Sequence, residues 1–145
     1  MTAQAQRSTA SMSRRSIVLL TMIAAAVVGV AANAVVAFAG IAAGASPAFA
    51  PLSIAVFGPF TVLGLVAGYL GWRIVRARAA NPLRLLRILV PVLLVLSFVP
   101  DTISAIVGFI PDSSTTGFVA LMIMHPIVAA VGVPVYQRLS PAHDA

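Results

Sequence analysis

The chain has 145 residues, of which 61% are hydrophobic and only 8% are charged. A soluble domain is about a quarter charged, so this composition excludes an ordinary water-soluble globule and predicts one membrane domain. All nine basic residues are arginines, the three acidic residues are aspartates, and the net charge is +6. The absence of cysteine excludes disulfides, thiol catalysis and cysteine-ligated metal centres.

The chain begins with a polar tail, residues 1–16, which is too poor in apolar residues to build a core and is expected to be disordered. Residues 17–43 form the first predicted span, because about twenty apolar residues cross the hydrocarbon of a bilayer. A competing interpretation is a cleaved signal peptide with Ala37-Phe38-Ala39 as its cleavage site. The run is longer than the roughly 7–15 apolar residues of a signal peptide, which favours a retained span.

Residues 44–51 contain two prolines and predict a short turn, after which residues 52–72 form the second span. Asn81-Pro82 then separates the second span from a third over residues 83–99. The arginines near this break lie at the ends of apolar runs, so we expect them to contact anionic lipid headgroups and not nucleic acid. They are Arg73, Arg76, Arg78, Arg84 and Arg87.

The end of the third span has two interpretations. In the favoured one, the helix ends at Pro100, Asp101 lies in water, and residues 103–110 lie in the membrane interface. In the other, the helix continues to Ile110 and buries Asp101. The first is favoured because Pro100 removes a helical hydrogen bond and because a carboxylate at the centre of a membrane helix costs about 2.5–3.5 kcal/mol.

Residues 115–136 form the fourth predicted span, and a short cytoplasmic tail, residues 139–145, follows Arg138. With four spans, all nine arginines lie on one side of the membrane, whereas three or five spans would divide them. The excess of arginine marks the cytoplasmic side. The sequence therefore predicts an all-α, polytopic domain over residues 17–138 with both termini in the cytoplasm.

Small residues recur at four-residue spacing in the first two spans. Ala25, Gly29 and Ala37 share one helical face with Asn33, and Gly64 and Gly68 form a GxxxG pair. Such faces let helix backbones approach each other closely. We expect the two faces to meet, within the bundle or across a homo-oligomer, and a membrane-protein partner is a further expectation.

Few polar side chains interrupt the spans, and His125 is the most notable of them. It lies ten residues after Thr115, about 15 Å along the helix and near the bilayer midplane. A histidine there indicates proton transfer or ligand binding, and the alternative is a neutral ring bonded to Asn33, Ser97 or a backbone carbonyl. The candidate polar cluster comprises Asn33, Ser97, Asp101 and His125.

No metal, cofactor or catalytic activity is expected. Metal binding needs several convergent ligands, and the sequence has no phosphate-binding loop, no HExxH and no GxSxG. The favoured function is a non-enzymatic accessory or structural membrane component. The alternative is a small transporter, channel or ligand-binding bundle that uses Asn33, Asp101 and His125.

The stretch LVLSFVPD and the segment TGFVALMIMHPIVAAVGVPVYQRL resemble a family of uncharacterised actinobacterial four-helix membrane proteins, known only as a domain of unknown function. Ser97, Pro100, His125 and Pro134 carry the resemblance, which covers the chain from the first span to Arg138. The resemblance implies four spans in the plasma membrane of a bacterium and no known activity. The Arg-only, Ala-rich composition is also similar to that of proteins from high-GC genomes.

The predicted orientation can be tested with Ala80→Cys, because no native cysteine competes for a thiol reagent. We expect that a membrane-impermeant maleimide added to intact cells leaves this cysteine unlabelled and labels it after permeabilisation. Labelling from outside intact cells would contradict the cytoplasmic assignment of the arginine-rich loop.

Overall fold

The computed structural model describes residues 13–142 and is helical, without strands, over that range. The expected disorder of residues 1–12 and the tail residues 143–145 lie outside the described part of the chain. A 3-10 turn, Ala50–Leu52, precedes the second helix. The α-helices are α1 (Arg14–Ala42), α2 (Ile54–Arg78), α3 (Pro82–Ser97), α4 (Val99–Val107) and α5 (Thr115–Leu139).

Four helical stretches are long and apolar enough to cross a membrane: α1, α2, the α3–α4 stretch Pro82–Val107, and α5. This confirms the predicted all-helical fold with four candidate spans. Large apolar side chains such as Val27, Phe38, Leu93 and Ile106 are exposed along them. Exposed apolar faces of this kind are typical of helices whose outer surfaces meet lipid.

The helix starts follow local capping chemistry. The Ser13 hydroxyl accepts a hydrogen bond from the amide of Ser16 at the start of α1. The Ser114 hydroxyl does the same for the amide of Gly117 at the start of α5. These bonds satisfy backbone donors that have no partner within the helix.

The small-residue face of α1 packs against both α2 and α5. A Cβ atom added at Gly29 would lie 3.2 Å from Thr61 Cγ2 of α2, and one added at Gly40 would lie 2.8 Å from Ala120 Cβ of α5. The absence of side chains therefore sets the separation of these helices. The buried residues of this face are Ala25, Gly29, Asn33, Ala37 and Gly40.

The GxxxG pair of α2 faces α5. A Cβ atom at Gly64 would lie 3.5 Å from Val128 Cγ1, and one at Gly68 would lie 2.7 Å from the Tyr136 hydroxyl. The expectation that the two small-residue faces meet each other was therefore wrong, although each packs within the bundle. The reason is that α5 is inserted beside both helices and contacts them along its length.

Tyr136 fastens α5 to α2. Its hydroxyl donates a 2.7 Å hydrogen bond to the Leu65 carbonyl, and its ring occupies space that glycine leaves free at positions 68 and 132. Nearby, the Trp72 indole donates a 2.8 Å hydrogen bond to the Ser140 carbonyl. The chain after α5 thus folds back on α2, and Ser140 and Ala142 are buried where the sequence suggested only a polar tail.

The connection between α1 and α2 also has a buried anchor. Phe49 is fully buried and meets Phe118 edge-to-face, with 5.3 Å between ring centroids. A Cβ atom at Gly117 would lie 2.9 Å from the Phe49 ring, so a glycine is required at the start of α5. Residues 44–51 are therefore a packed cap as well as a turn.

The third span continues past Pro100, which differs from the favoured interpretation of the sequence. The helix pauses at Phe98, restarts as α4 and ends at Gly108, whose φ of 67° is typical of a helix C-cap. Pro100 lies at the start of α4, where a missing N–H costs nothing. A proline read as a stop is here the first-turn residue of a new helix, which turns Asp101 toward α5.

The bundle is tight on one side and open on the other. Between Pro82 and Leu96, α3 contains neither glycine nor alanine, and its sequence is mostly leucine, isoleucine and valine. Branched side chains hold a helix backbone away from its neighbours, whereas small residues let it approach. The α3–α4 stretch consequently leaves space between itself and the α2–α5 pair.

Gly132→Ala should destabilise the protein by about 1–3 kcal/mol, the usual cost of overpacking. The added Cβ would lie 2.5 Å from the Tyr136 hydroxyl and 3.1 Å from Leu65 Cδ2, and moving the ring would break its bond to Leu65. Unfolding in mixed micelles provides the measurement. Gly71→Ala is the matched control, because no atom lies within 4 Å of its added Cβ, and it should be neutral or stabilising.

Candidate functional site

A chamber of about 930 Å³ lies between α3–α4 and the α2–α5 pair. Val56 and Val75, both in its wall, are nineteen residues apart on α2. At the helical rise this separation is about 28 Å, close to the thickness of a bilayer's hydrocarbon. The chamber is therefore long and narrow, and its wall consists mainly of apolar side chains such as Leu86, Leu93 and Val128.

All four members of the predicted polar cluster line this chamber: Asn33, Ser97, Asp101 and His125. They do not form one continuous cluster. The structure shows an Asp101–His125 pair and an Asn33–Thr61 pair, while the Ser97 hydroxyl donates to the Leu94 carbonyl of its own helix at 2.6 Å.

Asp101 and His125 face each other across the α4–α5 contact. His125 Nε2 and Asp101 Oδ2 are 3.5 Å apart, and the two side chains are 27% and 16% exposed. Asp101 is thus turned into the bundle, which differs from the favoured expectation of a carboxylate in water. It also lies in the first turn of α4, where the helix dipole favours a negative charge.

The backbone fixes where the histidine carries hydrogen. His125 Nδ1 lies 3.0 Å from the Leu121 carbonyl oxygen. Because a carbonyl oxygen only accepts, Nδ1 must be protonated and must donate. In a neutral ring Nε2 would then be an acceptor that faces the carboxylate, another acceptor. A proton shared by the pair, or a donor from a ligand, removes this conflict.

The ring of His125 is held from a second side by Phe98. The two ring centroids are 5.6 Å apart in an edge-to-face arrangement. Phe98 is the residue at which the third span pauses, so the same break that admits Asp101 also supplies this contact. The imidazole is therefore positioned by the Leu121 carbonyl, Phe98 and Asp101.

Asn33 and Thr61 form the second polar pair, between α1 and α2. The Asn33 amide donates a 2.9 Å hydrogen bond to the Thr61 hydroxyl, and Asn33 is 1% exposed. Sequence reasoning missed Thr61, although its hydroxyl in the middle of an apolar span was a usable signal. This arrangement matches the interhelical bond that a buried asparagine commonly makes.

Within residues 13–142, two buried side-chain oxygens have no hydrogen-bond partner: Asn33 Oδ1 and Asp101 Oδ2. Both belong to residues in the chamber wall, and both are acceptors. A buried acceptor without a donor is costly in an apolar surrounding. The chamber therefore combines an apolar body with two acceptors suited to a ligand that brings donors.

No three histidine, aspartate or glutamate side chains converge on a metal position anywhere in residues 13–142. The arginines expected at headgroups lie at one end of the bundle and are all exposed: Arg73, Arg76, Arg78, Arg84 and Arg87. Arg73 also stacks over the Tyr69 ring, with its guanidinium carbon 5.9 Å from the ring centroid. None of these arginines lines the chamber.

The fold and the chamber define a multi-pass four-helix architecture, with four candidate membrane spans around an apolar cavity. A family model described as a family of unknown function (DUF6069) matches residues 13–142, and the chain belongs to that family. The comparisons with curated proteins and with solved structures found no match. The family therefore bears out the expected domain of unknown function, while the actinobacterial origin stays a prediction.

The Asn33–Thr61 bond can be measured with a double-mutant cycle. Asn33→Ala and Thr61→Ala should show a coupling energy of about 0.6 kcal/mol, the average for hydrogen bonds between membrane helices. Unfolding in mixed micelles gives the four free energies. The control cycle pairs Asn33→Ala with Ser97→Ala, which share no hydrogen bond and should be additive within about 0.5 kcal/mol. Additivity in both cycles would contradict the bond.

Proposed function

We propose that this protein is an integral membrane protein that binds an amphipathic small molecule in the chamber between α3–α4 and the α2–α5 pair. The carrying observation is the chamber itself, about 930 Å³ of mainly apolar wall that includes two unpartnered acceptors. Binding sites for small molecules commonly combine a cavity of this size with a few convergent polar groups.

The apolar wall suits a long-chain molecule. The chamber extends over about 28 Å of helix, a length comparable to the bilayer hydrocarbon. Lipid tails are as apolar as this wall, so an apolar lining by itself selects nothing from the surrounding membrane. Selection would come from the polar groups Asn33 Oδ1 and Asp101 Oδ2, which favour a head with hydrogen-bond donors.

The proposed role is binding and not catalysis. A nucleophile acts when a base lies within hydrogen-bond reach. The Ser97 hydroxyl donates to Leu94, and the His125 ring is held by Leu121, Asp101 and Phe98. The site supports a ligand-binding or small-transporter role better than the accessory or structural role, which is proposed only as the runner-up.

The same proposal places the protein in the plasma membrane of a bacterium with both termini in the cytoplasm. It is supported by the arginines at the ends of α2 and α5 and at the starts of α1 and α3, which topology brings to one end of the bundle. Arginine excess marks the cytoplasmic side and suits anionic headgroups.

The chamber can be tested with 12-bromododecan-1-ol, because bromine quenches indole fluorescence on contact and the chain has one tryptophan. Trp72 lines the chamber and is only 6% exposed, so a quencher must enter the chamber to reach it. We expect saturable quenching of the full chain in maltoside micelles. Ala67→Phe, whose side chain would lie across the chamber, should weaken the binding by about tenfold or more.

The matched control is Ala130→Phe, an identical substitution at similar depth on α5. Ala130 is exposed and does not line the chamber, so this variant should bind as the native chain does. Quenching that is absent, that does not saturate, or that is equal in Ala67→Phe and Ala130→Phe would overturn the proposed function.

A further inference from the structure

We infer that the chamber takes a long-chain amine, whose ammonium group replaces a proton held by the Asp101–His125 pair. This inference rests on the proposed binding function and adds the ligand class and a proton exchange to it. The juxtaposition that carries it is Asp101 Oδ2 at 3.5 Å from His125 Nε2, in the wall of the chamber and without a hydrogen-bond partner.

The charge of the chamber selects a cation. Among the residues of its wall none is arginine or lysine, and the titratable ones are Asp101, His125 and Tyr136. Tyr136 lies at the arginine-rich end and is already committed to the Leu65 carbonyl. A carboxylate away from water requires a positive partner or a proton. Asp101 is thus the one acidic group in the wall.

The groups around the pair leave no other source of that positive charge. α1 contributes the neutral Asn33, α2 contributes the neutral Thr61, and the end of α3 contributes Ser97. Phe98 presents only a ring to His125. Within this wall the carboxylate can therefore be balanced by a proton shared with His125, or by a cation that enters the chamber.

The hydrogen-bond inventory ranks the possible heads. A primary ammonium has three donors and no acceptor, an alcohol has one donor, and a carboxylate has none. The two unpartnered atoms of the wall are both acceptors. An ammonium therefore satisfies Asp101 and adds charge, an alcohol satisfies it without charge, and a carboxylate repels it.

The exchange balances in charge and in protons. Before binding, the pair carries one proton between Nε2 and the carboxylate and is neutral overall. On binding, the ammonium pairs with the Asp101 carboxylate, His125 stays neutral with its hydrogen on Nδ1 toward Leu121, and one proton leaves to the solvent. The site is neutral in both states, so no unpaired charge is buried at either stage.

The test compares three probes with the same chain: 12-bromododecylamine, 12-bromododecan-1-ol and 12-bromododecanoate. Each is titrated into the full chain at pH 7 with Trp72 quenching as the readout. The ammonium should bind about tenfold tighter than the alcohol, since charged hydrogen bonds are about twice as strong as neutral ones, and the carboxylate should bind weakest. Calorimetry in two buffers of different ionisation enthalpy should show one proton released per ammonium and none per alcohol.

Asp101→Asn should abolish both the ammonium preference and the proton release while the alcohol still quenches Trp72, which shows that the variant is folded. Asp112→Asn, at an exposed aspartate outside the chamber, is the matched control and should behave as the native chain does. Equal binding of ammonium and alcohol, or ammonium binding without proton release, would overturn the exchange while the chamber stands. Absence of saturable quenching by every probe would instead overturn the proposed function.

Discussion

The close packing of α1, α2 and α5 is the constraint on which the rest of the structure depends. In lipid no hydrophobic force drives helices together, so they associate where backbones can approach and side chains interlock. Glycine at positions 29, 40, 68 and 132 provides that approach, and the Tyr136 side chain fills the space between α2 and α5. The third span lacks such residues before Ser97 and remains farther away, which leaves the chamber.

The break in the third span connects the fold to the proposed chemistry. A continuous helix through Pro100 would lose a hydrogen bond, whereas a restart at Val99 lets the proline occupy a position that needs no donor. The restart also places Asp101 in a first turn, where the helix dipole reduces the cost of its charge. The same few residues thus bring Phe98 and Asp101 to His125.

The sequence predicted the fold well because membrane spans follow from length and hydropathy alone. The start of α5 at Thr115 agrees with the prediction, and α1 ends at Ala42, one residue before the predicted end. The candidate residues could also be chosen, since polar side chains are rare in such spans. Their pairing could not, because Thr61 reaches Asn33 only through the rotation of α1 against α2. Phe49 was overlooked because it lies in a connection.

By itself the sequence determined the helical class, the four apolar stretches and the arrangement of arginine at alternate connections and ends, since each depends on local composition. The tertiary structure decided that Asp101 faces His125, that the glycine pair of α2 meets Tyr136, and that a chamber separates α3 from the other helices. These features depend on helix rotation and separation. Both are set by contacts between side chains distant in the sequence, which hydropathy does not encode.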